Sequence, residues 1–339
     1  MGTRVGATFY VRRSQPWLKH YFGVDMLDPT WAAGLGGMVS WGGRAPAKFA
    51  RAVSRIRRVP HFYLEDGFLR SVGLGKENAL PISIQIDDLG MPVRADRPSR
   101  LERLIADAAG SQVIASLGGD IREALVRHRL SKYNSLPHRA PKIDRTVRRR
   151  ILLVDQVYGD VSVPMAGGSP ESFRHMLADA VQSGAQCVVR THPDVMAGFR
   201  KGYMTEEAAK LPGVILSSEP VSAASLIEVV DEVWTMSSQF GLDALLRGVP
   251  VRCYAAPFYA GWGLTEDRFE TAAPGGGRPG DARSGVSIRR QARPGIDHLA
   301  AAAFSLYPVY RDQTTWGEID VFAAVERLIA ERRTLGLDG

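Results

Sequence analysis

The feature that most narrows the fold is a series of short, almost uninterrupted apolar segments in the second half of the chain. ILLVDQ, AQCVVRTH, GVILSS, EVWTM and VPVRCYA alternate with helix-like stretches of about ten residues. A strand that is apolar on both faces must be covered on both, and helices between successive strands supply that cover, so the pattern predicts a parallel sheet. Parallel sheets bind ligands outside the carboxyl ends of their strands. That rule singles out the loops after Gln156, Arg190, Met236 and Tyr254.

The first half is also α/β in character. PAKFARAVSRIRRVP reads as a basic helix, HFYLE and PISIQID as strands, and RPSRLERLIADA as a helix capped by Ser99 with Glu102 three residues on. In the second half Ser169 caps a helix that has Pro170 at its first position. Between Asn134 and Arg150 the pattern breaks into polar and basic residues with Pro137 and Pro141, which suits a connection between domains. For 339 residues two domains are expected, 1–148 and 149–310, followed by an amphipathic helix in 311–339 that packs back on the first domain. The stretch from Thr271 to Pro294, rich in Gly, Pro and Arg, reads as a mobile excursion.

Composition is ordinary for a globular protein, with 45% hydrophobic and 23% charged residues. No run reaches the roughly 18 apolar residues of a membrane span, and the N-terminus has no signal pattern, so a cytoplasmic location is expected. Cys187 and Cys253 each sit in an apolar strand and read as core thiols. The net charge of +7 is concentrated in clusters such as Arg51 to Arg58 and Arg145 to Arg150. These clusters are either solvated helix faces or a surface drawn by charge, without insertion, to anionic lipid or an acidic substrate. No nucleic-acid module accompanies the charge.

Three of the four loops carry polar groups: Gln156 to Asp160, then Thr191, His192, Pro193 and Asp194, then Ser237, Ser238 and Gln239 opening a helix. Hydroxyls at a helix N-terminus can hold a phosphate, or simply cap the helix. His192, stiffened by Pro193 at a sheet edge, is either structural or functional. Asp160 follows a glycine, and in the other half Glu65 and Asp66 end a strand, with Arg70 just beyond. Two carboxylates from facing domains are what glycosyl transfer through a covalent intermediate requires; each taken singly would serve as a turn acid.

EDGFLRSVGLG, PISIQIDDLG, DQVYGD, RTHPDVMAGFRKGY and SSQFGLDALLRGVPVRCYAAPFYAGWGLTED together resemble the KpsC-type capsule polysaccharide proteins. The resemblance spans most of the chain, and PFYAGWGLT is its most specific part. It implies two Rossmann-like domains in a GT-B-type arrangement and retaining β-Kdo transfer. The implied donor is CMP-Kdo and the implied acceptor a Kdo chain on (lyso)phosphatidylglycerol. It makes Asp160 the nucleophile, Glu65 the proton-handling group and His192 of the HP motif a third catalytic residue, puts Pro193 beside the substrate, and gives Ser238 and Gln239 the donor phosphate. Gln156, Asp66, Ser237 and Gly241 belong to the same motifs and are expected to bind substrate. Arg190, Arg70 and Lys201 are candidates to neutralise the anionic donor. A single phosphate can be held by a helix end and cations, so no metal or other cofactor is expected. KpsC resembles two such modules in tandem, whereas this chain has one. The inner-membrane surface and other capsule assembly proteins are further expected partners. Another GT-B enzyme with a different nucleotide sugar, or a non-catalytic assembly partner, are the competing readings.

Overall fold

The computed structural model describes residues 4–43, 45–73, 79–143, 149–191, 195, 198–269 and 284–337. Two six-stranded sheets organise them. The first contains β1 (Arg4–Ala7), β2 (Met26–Leu27), β3 (Leu35–Trp41), β4 (His61–Asp66) and β5 (Ser83–Asp87), joined by β12 (Pro308–Tyr310), in the order β12-β5-β4-β3-β1-β2. The second contains β6 (Arg150–Val154), β7 (Gln186–Arg190), β8 (Ile215–Ser217), β9 (Glu232–Thr235), β10 (Val251–Cys253) and β11 (Glu266–Asp267), in the order β11-β10-β9-β6-β7-β8.

Every pairing in the second sheet is parallel. Its strand order reverses between β6 and β9, and this switch point leaves a crevice at the carboxyl ends of those two strands. The residues Ile151 to Val154 are all buried, as a strand covered on both faces requires. In the first sheet β1 to β4 are parallel, whereas β5 runs antiparallel to β4 and β12 antiparallel to β5. The chain is therefore back in the first sheet at Pro308, before the boundary expected at 310. The short β12 completes an edge that the first half cannot close alone.

The predicted caps form. Ser99 Oγ accepts from the Glu102 N–H at the start of the Arg100–Ala108 helix, and Ser169 Oγ accepts from Ser172 ahead of the Pro170–Gln182 helix. One continuous core joins the halves, running from Phe68, Leu101 and Ile121 to Leu242, Phe258 and Leu328. The Val321–Thr334 helix supplies Leu328 and packs against the Gln112–Arg127 helix. Part of the supposed mobile excursion is ordered: Ser284–Arg289 is a helix, and the Arg290 that follows is almost wholly buried against Glu102. Residues 270–283 lie outside the described residues. Both cysteines are buried and free, with thiol pKa values pushed up by burial. Among the described residues no helix is long and apolar enough to cross a membrane.

Candidate active site

The switch point of the second sheet is laced by one side chain. Gln156, just beyond β6, donates from Nε2 to Asp160 Oδ2 at 3.2 Å, to Ser162 Oγ at 3.1 Å and to Ser237 Oγ at 3.1 Å. Its Oε1 accepts from the Ser237 backbone N–H at 3.2 Å. The loops after β6 and β9 are thus held together across the crevice. Asp160 lies in the tight turn that Gly159 allows at φ +82°, and its Oδ1 accepts the Ser162 N–H at 2.9 Å. Its carboxylate is half-buried, with a hydrogen-bond donor on each oxygen.

The loop itself hangs on Asp155, which the sequence reading passed over. This buried carboxylate accepts the N–H groups of Tyr203, Met204 and Thr205 and the Thr205 hydroxyl, pinning residues 203–205 beside β6. Burial raises its pKa, against the pull of these donors. Gly202 has to be glycine here, because a Cβ would lie 2.1 Å from Asp155 Oδ2.

On the first sheet, Glu65 and Asp66 end β4. Asp66 meets Arg70 at 2.8 Å without hydrogen-bond alignment, and the Arg70 guanidinium donates to Ser71 Oγ. Lys132, also unforeseen, belongs to this group. Burial opposes its charge, but Tyr133, Asp66 and Glu65 outweigh that and hold its pKa above the ordinary value. A Cβ on Gly42 would stand 3.6 Å from Glu65 Oε2, and one on Gly43 would stand 2.6 Å from Met165 Cε. Met165 ends the short Ser162–Met165 helix that opens beside Asp160. The adjacent glycines therefore bring the Glu65 end of the first sheet against the Asp160 end of the second.

The other expected residues divide. Gln239 reaches the other half of the chain: its Nε2 donates 2.6 Å to the Phe68 carbonyl in the EDGF segment, clamping the two halves. Ser238 Oγ caps the Gln239–Leu246 helix through the Phe240 N–H, and its carbonyl accepts the Tyr259 hydroxyl. Arg190 is buried at the end of β7 and donates to the Glu219 carbonyl, turned toward β8; burial depresses its pKa. The Lys201 ammonium is exposed, 3.9 Å from Glu206, and only its carbonyl, accepting from Tyr158, touches the Asp160 loop. His192 and Pro193 lie outside the described residues.

The PFYAGWGLT segment is a hub. Phe258 packs on Phe68 with ring centroids 4.5 Å apart, Tyr259 reaches Ser238, and Arg290 holds the carbonyls of Pro257 and Ala260. Gly241 lies under the Tyr259 ring, where a Cβ would come within 2.3 Å of the hydroxyl. Gly241→Ala is therefore expected to cost about 1–3 kcal/mol of stability by overpacking. Its thermal unfolding should show this, with binding in the surviving folded fraction nearly unchanged. Unaltered melting with weakened ligand binding would instead make Gly241 a ligand contact.

The sequence profile of capsule polysaccharide biosynthesis proteins matches residues 37–147 and 124–275. The chain belongs to that family. Among its relatives, the capsule polysaccharide modification protein LipA of Neisseria meningitidis serogroup B is 34% identical over 307 residues, covering 87% of this chain and 41% of LipA. The lipopolysaccharide-processing protein LpsZ of Rhizobium meliloti is 31% identical over 331 residues, 95% of this chain and 69% of LpsZ. The chain thus spans about two fifths of LipA. Two solved structures of Thermosulfurimonas dismutans KpsC match over almost their whole length. The β-Kdo 2,4 transferase has a TM-score of 0.84 at 33% identity, covering 97% of this chain and 98% of that one. The β-Kdo 2,7 transferase has a TM-score of 0.69 at 25% identity, covering 98% and 100%. This capsule polysaccharide biosynthesis protein accordingly has the two-domain, GT-B-like α/β fold of the KpsC type.

A surface hollow of about 1050 Å³, lined by Arg4, Lys19, His20 and Trp31 among others, lies at the β2 edge of the first sheet, away from these loops. Among the described residues no cluster of His, Cys, Asp and Glu could hold a metal ion.

Proposed function

We propose that the chain is a retaining β-Kdo glycosyltransferase of capsule biosynthesis. It would transfer Kdo from CMP-Kdo to a Kdo acceptor carried on (lyso)phosphatidylglycerol, working on the cytoplasmic side at the inner membrane. The observation that carries this reading is the Gln156 network, which fixes Asp160 at the switch point of a sheet whose partner domain presents Glu65. The likeness to the KpsC transferases supplies the sugar.

In the first step the Asp160 carboxylate attacks the anomeric carbon of Kdo, and CMP leaves with the electron pair of the broken C–O bond. In the second, an acceptor hydroxyl displaces Asp160 from that carbon while its proton passes to Glu65; this restores the Asp160 carboxylate and the original configuration, and Glu65 then gives the proton up to solvent. Arg70, paired with Asp66, and Lys132, within the field of Asp66 and Glu65, would offset the negative charge of donor and acceptor. Ser237 and the N-terminus of the Gln239–Leu246 helix would receive the CMP phosphate. No metal or other cofactor enters these steps.

The greater likeness to the 2,4 transferase favours that linkage over 2,7. Purified protein incubated with CMP-Kdo and a synthetic Kdo-lipid acceptor is expected to give a single β-linked product, whose linkage NMR would read as 2,4. Transfer from a UDP-sugar but not from CMP-Kdo would move the chain to another GT-B donor class. Transfer from neither would leave an assembly role.

A further inference from the structure

The Ala45–Arg57 helix carries two stripes without charge. One, Ala47, Ala50 and Ser54, is buried against the sheet as any crossover helix requires. The other, Ala45, Phe49, Ala52 and Ile56, follows the same helical spacing on the opposite side and faces outward. A solvated helix puts charges there. Instead Phe49 is 51% and Ile56 82% exposed.

The charges flank the outward stripe. Lys48, Arg51 and Arg55 line one side, Arg57 and Arg58 close the end, and the helix contains no acid. Among the described residues no acidic side chain pairs with Lys48, Arg51 or Arg55. Arg57 turns to the neighbouring loop and donates to the carbonyls of Thr30 and Ala32 at 3.0 and 2.9 Å. This fixes Trp31, 85% exposed, beside the end of the helix that bears Ile56.

We infer that this face is a membrane-docking surface for an anionic bilayer, with Phe49, Ile56 and Trp31 entering the interfacial layer and the surrounding cations meeting lipid headgroups. An apolar stripe bordered by Lys and Arg, with a tryptophan at its end, is the side-chain chemistry that binds in the plane of a charged membrane. The expectation of attraction by charge alone is thereby replaced by charge plus shallow insertion. The placement also serves transfer. The helix begins just after Gly42 and Gly43, the residues beside Glu65 and Met165, so a bilayer along its outer face lies about 20 Å or less from the acceptor end of the candidate site. The benefit to a lipid-linked acceptor rests on the function proposed above; the docking itself does not.

Flotation of the full chain with vesicles, in the absence of donor and acceptor, tests the surface. Binding to phosphatidylglycerol-containing vesicles should exceed binding to phosphatidylcholine by at least tenfold. The Trp31→Ser/Ile56→Ser pair and the Lys48→Gln/Arg55→Gln pair should each lower it about tenfold, with only the second flattening the salt dependence. Brominated phosphatidylglycerol should quench tryptophan fluorescence in the native chain, and Trp31→Phe should remove that quenching. Unchanged binding in both double variants, equal binding to neutral vesicles, or quenching that survives Trp31→Phe would overturn the inference. So would a solution dimer that Ile56→Ser dissociates, because the stripe would then be covered by a second copy. Transfer to a soluble, lipid-free Kdo acceptor should be unchanged in all these variants, which separates failure of docking from failure of the transferase reading.

Discussion

Asp160→Asn is expected to lower Kdo transfer by several orders of magnitude while the protein remains folded. An amide cannot form the glycosyl ester on which retention depends, and loss of a covalent step far exceeds what a displaced surface side chain costs. The substitution is not silent toward its surroundings. Both Asp160 oxygens accept hydrogen bonds, one from the Ser162 N–H and one from the Gln156 amide. In Asn one of those positions becomes an NH2 group facing a donor, so a destabilisation of about 1 kcal/mol should accompany the kinetic loss. Melting curves and CMP binding, measured beside transfer, separate the two effects. Glu65→Gln should act differently: the nucleophile survives but the acceptor proton has no base, so intact-protein mass spectrometry should find a Kdo adduct after exposure to CMP-Kdo. Near-normal transfer by Asp160→Asn with unchanged stereochemistry would pass the nucleophile's role to another group.

Much of the fold was legible because its signals are local. The Ser99 and Ser169 caps and the apolar strands of the second sheet depend on neighbours within a few residues, and each stands where the sequence places it. What escaped depends on distant contacts. The Gln112–Arg127 helix runs unbroken through the Gly118–Gly119 pair, which weakens any helical pattern in the sequence. Gly118 is explained only by the Asp297 carbonyl, which a Cβ would approach to 1.7 Å. β12 is three residues long and pairs with a strand from the other end of the chain, so no periodicity could announce it.

The site shows the same division. The rule for parallel sheets leads to Gln156, Asp160 and Ser237, and these do converge. It does not separate a residue that faces the crevice from one that builds it. Gln239 and Gly241 are sequence neighbours of Ser237, yet one clamps Phe68 and the other makes room for Tyr259. Asp155 lies inside the DQVYGD motif, but its purpose appears only once residues 203–205 are seen to wrap around it. Lys132 belongs to no motif and comes into the field of Asp66 and Glu65 through the fold alone.

Removing the carboxylate of Glu102 is expected to produce a large loss of stability. Glu102 lies in the Arg100–Ala108 helix with its side chain only 6% exposed, and it receives Arg289 Nε at 2.7 Å and Arg290 Nε at 2.8 Å. Arg290 is 1% exposed; it also donates to the carbonyls of Pro257 and Ala260 and lies over the face of Trp262, with the Asp267 carboxylate a weaker second attraction. Glu102→Ala would thus leave a buried guanidinium without its ion-pair partner, a defect that typically costs about 3–5 kcal/mol. At about 2–4 °C per kcal/mol for domains of this size, the melting temperature should fall by about ten degrees. Arg289→Met should cost less, because Arg289 is 22% exposed and water can replace part of the contact. The Glu102→Met/Arg290→Met pair should recover much of the loss, since two apolar side chains leave neither charge stranded. The effect should also reach the active site. Arg290 holds the segment whose Phe258 packs on Phe68 and whose Tyr259 reaches Ser238, so loosening it removes support from both halves of the candidate site at once. A Glu102→Ala protein that melts within one degree of the native chain would show that the buried pair contributes nothing, and that the hub is held by its aromatic contacts alone.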